Sequence, residues 1–149
     1  MPHNRGMPLL SDRDRQVVQQ HLAALQHDVT LLLFTQTFGG SESGTIARQI
    51  VDEIATLHDR ITVEEANFVL DKDTLEKYGI DKSPAIVVLR DGEDTRIRFY
   101  GAPAGYEFMS LIEAIILAGG DDSGLSEESK ALVAQVDQPM TIEVFVTPT

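Results

Sequence analysis

The spacing of apolar residues changes several times along the chain, and each change marks an element. Val18, Leu22 and Leu25 stand at i, i+4 and i+7 and predict one apolar helical face ending near Gln26. Ser11 is placed to cap that helix, with Asp12 and Asp14 at its positive end. "VTLLLFT" (29–35) drops the helical period for a nearly continuous apolar run, the pattern of a strand covered on both faces. Helical spacing returns with Ile46, Ala47, Ile50, Val51, Ile54 and Leu57, predicting an amphipathic helix that ends near His58. A second strand is expected over 61–68, weakened by its central glutamates, and then a short helix over 72–78 closed by Gly79. "PAIVVLR" (84–90) predicts a third strand and Asp91-Gly92 a hairpin turn. Residues 95–101 alternate, with Ile97 and Phe99 on one face and Arg96, Arg98 and Tyr100 on the other. A last apolar helical face (Phe108, Leu111, Ile112, Ile115) runs from Gly105 to Ala118 and stops at Gly119-Gly120. The order α-β-α-β-α-β-β-α predicts an α/β fold: a parallel strand pair joined to an antiparallel hairpin in one mixed four-stranded sheet flanked by helices.

Beyond Gly124 the pattern begins again. "LSDRDRQVV…VTLLLF" (10–34) is echoed by "LSEESKALV…MTIEVF" (125–145), pairing Ser11 with Ser126, Thr30 with Thr141 and Phe34 with Phe145. The second copy is shorter by about one helical turn. A spacing of one whole domain speaks for internal duplication and not for a solenoid period. The expected organisation is a disordered lead-in over 1–7, a first unit over 8–120, a linker and helix over 121–139, and the first strand of a second, truncated unit over 140–149. A strand at 140–146 without its own sheet would offer an open edge to a second copy of the chain.

Composition narrows the chemistry. The chain has 149 residues, 42% apolar and 24% charged, which suits a globular domain with a proper core. Its net charge of −12 argues against nucleic-acid backbones and anionic membranes, both of which attract clustered Lys and Arg. No apolar stretch approaches the roughly 20 residues of a membrane helix, and "MPHNRGMPLLSDRDRQ" contains no signal-like core, so a cytoplasmic location is expected. The cysteine count is zero, which removes disulfide and thiol chemistry from this chain.

The polar turn "TFGGSESG" (37–44), between strand and helix, stands where α/β proteins commonly carry a site. It lacks the Gly-Lys-Ser/Thr of a phosphate loop, and Gly39, Gly40 and Gly44 do not fit the dinucleotide spacing. Neither Ser41 nor Ser43 has glycines two residues before and two after it, so a nucleophile elbow is not matched. His3, His21, His27 and His58 are scattered, which gives no metal-ligand cluster. No catalytic residue, metal or cofactor is therefore expected. The second informative stretch is "IDKSPAIVV". Pro84 opens a strand and holds Ser83 extended, which fits either an ordinary strand start or a cis X-Pro bond.

Together, "LLLF…SESG…IARQIVDEI", "SPAIVVL" and "RFYGAPAGYEFMSLIEAI" resemble the strand, redox turn, helix, proline-led strand and closing helix of the thioredoxin fold. With "LLSDRDRQVV" and "TIEVFVTPT" the match over 8–149 is similar to glutaredoxin-like protein disulfide oxidoreductases, which carry two thioredoxin units in tandem. It is similar also to the N-terminal domain of the alkyl hydroperoxide reductase flavoprotein. The resemblance places Ser41 and Gly44 where the two cysteines of a C-x-x-C would stand, with Glu42 and Ser43 between them, and Ser83-Pro84 at a cis-proline that borders bound peptide. It implies a redox-inactive N-terminal unit of a thiol-disulfide oxidoreductase, partnered by a second thioredoxin-like unit and by a reductase or peroxidase. Two other readings stay open: a non-catalytic peptide- or protein-binding module, and an assembly protein that swaps strand 140–146 to form a homodimer.

Overall fold

The computed structural model describes residues 7–36 and 40–147. In chain order it contains α1 (Asp12–Leu22), β1 (Val29–Thr35), α2 (Glu42–Ala55), β2 (Ile61–Asn67), α3 (Lys72–Tyr78), β3 (Ala85–Arg90), β4 (Glu93–Tyr100), α4 (Tyr106–Gly119) and α5 (Glu127–Ala134). One sheet has the order β2-β1-β3-β4. β1 runs parallel to β2 and antiparallel to β3, and β3 runs antiparallel to β4. The mixed four-stranded sheet expected from the sequence is therefore the one formed.

The continuous apolar runs are explained by the two faces of the sheet. Val29, Leu31 and Leu33 of β1, with Ile86 and Val88 of β3, point to one side. There they meet Val18 and Leu22 of α1, Ile50, Val51 and Ile54 of α2, and Leu111, Ile112 and Ile115 of α4. Leu32 and Phe34, with Ala85, Val87 and Leu89, point the other way and pack against Ile80, Phe68 and the α3 residues Leu75 and Tyr78. Alternate residues of a strand face opposite sides, so a strand buried on both sides has no polar positions left to show. β2 is an edge strand, and Glu64 and Glu65 stand exposed on it. That accounts for the glutamates that weaken its pattern, and charge on an edge discourages unwanted pairing.

The ends of elements follow local chemistry. The helix expected to reach Gln26 stops at Leu22, and Leu25 is buried in the connection that follows. Gly79 closes α3 with φ 66°, and Asp91 and Gly92 turn the β3–β4 hairpin with φ 47° and 81°. Ser126 caps α5 at φ −63°, ψ 157°, and its Oγ accepts the Ser129 N–H at 3.1 Å. This repeats Ser11 of α1, which has φ −64°, ψ 160° and accepts the Asp14 N–H at 3.1 Å. The two caps agree in conformation as well as in sequence. α5 nevertheless buries no residue, and 140–147, where a strand is expected, pair with no other strand of the described chain. A strand exists through its ladder, and no sheet of the described chain offers 140–147 a neighbour. Ile142, Val144 and Phe145 stand 80% or more exposed.

Candidate redox turn and cleft

Two connections meet at one end of the sheet. β1 delivers Thr35, buried at 6% exposure, and α2 begins seven residues later at Glu42. Ser41 is extended (φ −75°, ψ 161°) and caps α2 by accepting the Gly44 N–H on its Oγ at 3.3 Å. The sequence pattern alone assigns Glu42, Ser43 and Gly44 to a turn. In the structure they form the first turn of α2, because the Ser41 cap lets the helix start early. Residues 37–39 of the glycine-rich stretch lie outside the described residues.

On the other side of the meeting point, the Ser83-Pro84 bond is cis. Pro84 is buried, and its carbonyl accepts the Gly101 N–H at 2.9 Å. Ser83 Oγ approaches the Phe34 carbonyl of β1 at 3.5 Å. The α2 start and the β3 start thus flank the end of β1, and a cleft of about 610 Å³ opens between them. Ser41, Gly44, Thr45 and Arg48 line one wall, Asp81, Lys82 and Ser83 another, with Thr35, Gln36, Gly40 and Phe68 completing it. The residues singled out in the sequence separate here: Ser41, Gly44 and Ser83 line the cleft, whereas Glu42, Ser43 and Pro84 do not.

The cleft also contains residues that sequence reasoning missed. Arg48 lies one turn beyond Gly44 and donates from Nη2 to Thr35 Oγ1 at 3.0 Å. Its Nε meets Glu65 Oε1 of β2 at 2.7 Å. Lys82 stands 5.2 Å from the Tyr100 ring centroid and 3.6 Å from Asp81. The i, i+4 relation of Gly44 to Arg48 on one helix is a signal that could have brought Arg48 into view. Nothing in the spacing points to Lys82, whose place depends on how β3 docks. No histidine lines the cleft among the described residues, so Ser41 has no adjacent base to activate it. The Ser41 hydroxyl is occupied as a helix cap.

No family model matches the chain. It is 31% identical over 112 residues to an NADH dehydrogenase of Ferdinandcohnia aciditolerans, covering 75% of this chain and 19% of that protein. It is 28% identical over 138 residues to the alkyl hydroperoxide reductase flavoprotein AhpF of Staphylococcus epidermidis, covering 91% and 24%. The chain therefore spans about a quarter or less of the curated relatives it matches. Among solved structures, the N-terminal domain of AhpF from Enterococcus faecalis superposes with a TM-score of 0.77 at 30% identity, over 84% of this chain and 60% of that one. A protein disulfide oxidoreductase from Aeropyrum pernix follows at 0.72 and 21% identity, over 84% and 54%, a likeness of fold. The fold is thioredoxin-like. The homologues and structural neighbours of this thioredoxin-like chain are that N-terminal domain and a protein disulfide oxidoreductase, as the resemblance read from the sequence implied. The homologous domain belongs to a larger multidomain protein, and no helix among the described residues is long and apolar enough to cross a membrane.

Proposed function

We propose that this thioredoxin-like unit is the redox-inactive N-terminal part of a cytoplasmic thiol-disulfide oxidoreductase. Its role is to scaffold and dock a second thioredoxin-like unit that carries the sulfur chemistry. The observation that carries the reading is the pair Ser41 and Gly44 at the start of α2, beside Ser83-Pro84, in a chain without cysteine. Disulfide exchange requires a thiolate that attacks a disulfide sulfur and forms a mixed disulfide. A serine hydroxyl forms no S–S bond, and glycine has no side chain at all. The matching caps of α1 and α5 support the tandem arrangement, with 125–145 as the opening of the second unit. Electrons would pass between a reductase and a peroxidase through that second unit. The test is insulin reduction with dithiothreitol as electron source. The expected rate equals the protein-free background, and turnover above it overturns the proposal.

A second reading is favoured by the cleft itself. An opening of about 610 Å³ with polar walls beside the β3 start is large enough to hold part of an extended peptide. In that case the unit presents a non-catalytic peptide site. Titration with an unfolded, reduced polypeptide should then shift the amide signals of Gly44, Thr45 and Ser83. Signals that stay in place to millimolar peptide remove this reading and leave the scaffold role.

A further inference from the structure

The end of the sheet opposite the cleft carries a different arrangement. His27, in the α1–β1 connection, lies between two aspartates that are distant in sequence. Its Nδ1 is 2.8 Å from Asp91 Oδ2 in the β3–β4 turn, and its Nε2 is 2.6 Å from Asp121 Oδ1 just beyond α4. An ionised carboxylate can only accept, and a neutral imidazole has a single N–H. Both contacts are hydrogen bonds only when the ring is an imidazolium.

Every charged group around the ring has a defined place. Arg90, at the end of β3, donates to Asp121 Oδ1 at 3.1 Å and to the Gly120 carbonyl at 3.0 Å. The Asp28 N–H donates to Asp91 Oδ1 at 3.0 Å, while the Asp28 carboxylate meets Arg60 from the start of β2 at 3.0 Å. The next acidic residue, Asp122, pairs with Lys130 of α5 at 3.2 Å. The backbone supports the same junction, since the Gln26 and His27 N–H groups both donate to the Gly119 carbonyl, at 2.8 and 3.1 Å. The point where the chain leaves the sheet for α5 is therefore fastened by one ring with two faces.

We propose that His27 is a proton-operated clasp that fixes where the segment 120–147 leaves the thioredoxin-like body. Protonated, it ties the β3–β4 turn to the exit of α4. Deprotonated, it keeps one N–H, one aspartate faces a ring lone pair, and the bridge opens while Arg90 alone holds Asp121. The electrostatics agree with the geometry. The bonds to Asp121 and then Asp91 raise His27 above its ordinary 6.5 against opposing desolvation and Arg90, and the bond to His27 lowers both aspartates. A raised histidine contributes fully below 6.5 and loses its contribution as pH rises through the elevated value. The lowered aspartates contribute above 3.8 and lose theirs as pH falls through the depressed values. The clasp is closed between those limits and opens on the alkaline side. It is independent of the redox assignment.

The experiment is an NMR titration of the full chain. The His27 ring signal should titrate above 6.5, and the amides of Gly120, Asp121 and Asp122 should move with the same midpoint. Asp121→Asn should lower that midpoint. In His27→Gln the amide transition should vanish, and hydrogen-exchange protection at Gly120–Asp122 near pH 6 should fall roughly threefold or more. A His27 midpoint at or below 6.5, amides that do not follow it, or unchanged protection in His27→Gln overturns the clasp. The wild-type titration decides the matter even if a variant fails to fold.

Discussion

The Oγ of Ser41 accepts the backbone N–H of Gly44 at 3.3 Å, so the two positions aligned with a redox pair are joined to each other by a helix cap. The backbone for a C-x-x-C is in place while its sulfur is not. A Cβ added at Gly44 would meet only Thr35 Cγ2, at 3.9 Å, which is ordinary contact. The double substitution Ser41→Cys with Gly44→Cys should therefore fold, close a disulfide on oxidation, and reduce insulin disulfides with dithiothreitol. A thiol at a helix N-terminus has a lowered pKa, which favours the attacking thiolate. Either single substitution should stay inactive, because no resolving thiol releases the mixed disulfide. Thiol counts before and after oxidation and the insulin rate check this. A double variant with a closed disulfide but no activity would show that the cleft does not present substrate.

Much of this arrangement was legible in the chain. The run 29–35 became β1 with the same bounds, and 72–78 became α3 with Gly79 in the left-handed region its role demands. These elements are set by local pattern, so tertiary structure had little to override. The first turn of α2 was less readable: Glu42, Ser43 and Gly44 carry no apolar period, and their helicity comes from the Ser41 cap. The cleft cations and the His27 clasp were not readable at all. His27, Asp91 and Asp121 come from three separate connections, and only the closing of the sheet brings them within hydrogen-bond distance.

The matching caps of α1 and α5 should have unequal energetic weight. Replacing a serine cap by alanine costs about 1 kcal/mol of helix stability. α1 buries Val18 and Leu22 in the main core, so Ser11→Ala should lower global stability by that order in chemical denaturation. α5 buries nothing, so Ser126→Ala should reduce helical signal over 127–134 and leave the denaturation midpoint unchanged. A shared drop in the midpoint would mean that α5 is folded as part of the first unit.

Glu53 should hold the entry to α1. Its carboxylate accepts the Leu9 N–H at 2.7 Å and the Leu10 N–H at 2.9 Å, and it lies 3.6 Å from Arg15. With its side chain 10% exposed, this group has little water to replace those donors. Glu53→Ala should cost about 1–3 kcal/mol, the range for leaving such donors without their charged partner. Amide exchange at Leu9 and Leu10 should accelerate well before the rest of the domain is affected. Glu53→Gln, which keeps an acceptor, should recover part of the loss.

The Asp94–Arg98 pair should set part of the acid sensitivity. Arg98 donates to Asp94 at 2.6 and 2.7 Å and to the Tyr78 carbonyl at 3.1 and 3.3 Å, joining β4 to the end of α3. The bond to Arg98 lowers the Asp94 pKa from 3.8, aided by the Arg96 N–H and opposed by burial. A lowered carboxylate contributes stability above its unfolded value and loses it as pH falls through the folded one. Asp94→Asn should thus cost roughly 1 kcal/mol near neutrality, a figure reduced by partial exposure to solvent. The same variant should lose less stability than the parent as pH falls below 3.8. Urea midpoints at pH 7 and pH 3 measure both effects. Equal acid losses in parent and variant would place the carboxylates that govern acid unfolding elsewhere, the His27-bonded Asp91 and Asp121 first among them, since their pKa values are also lowered.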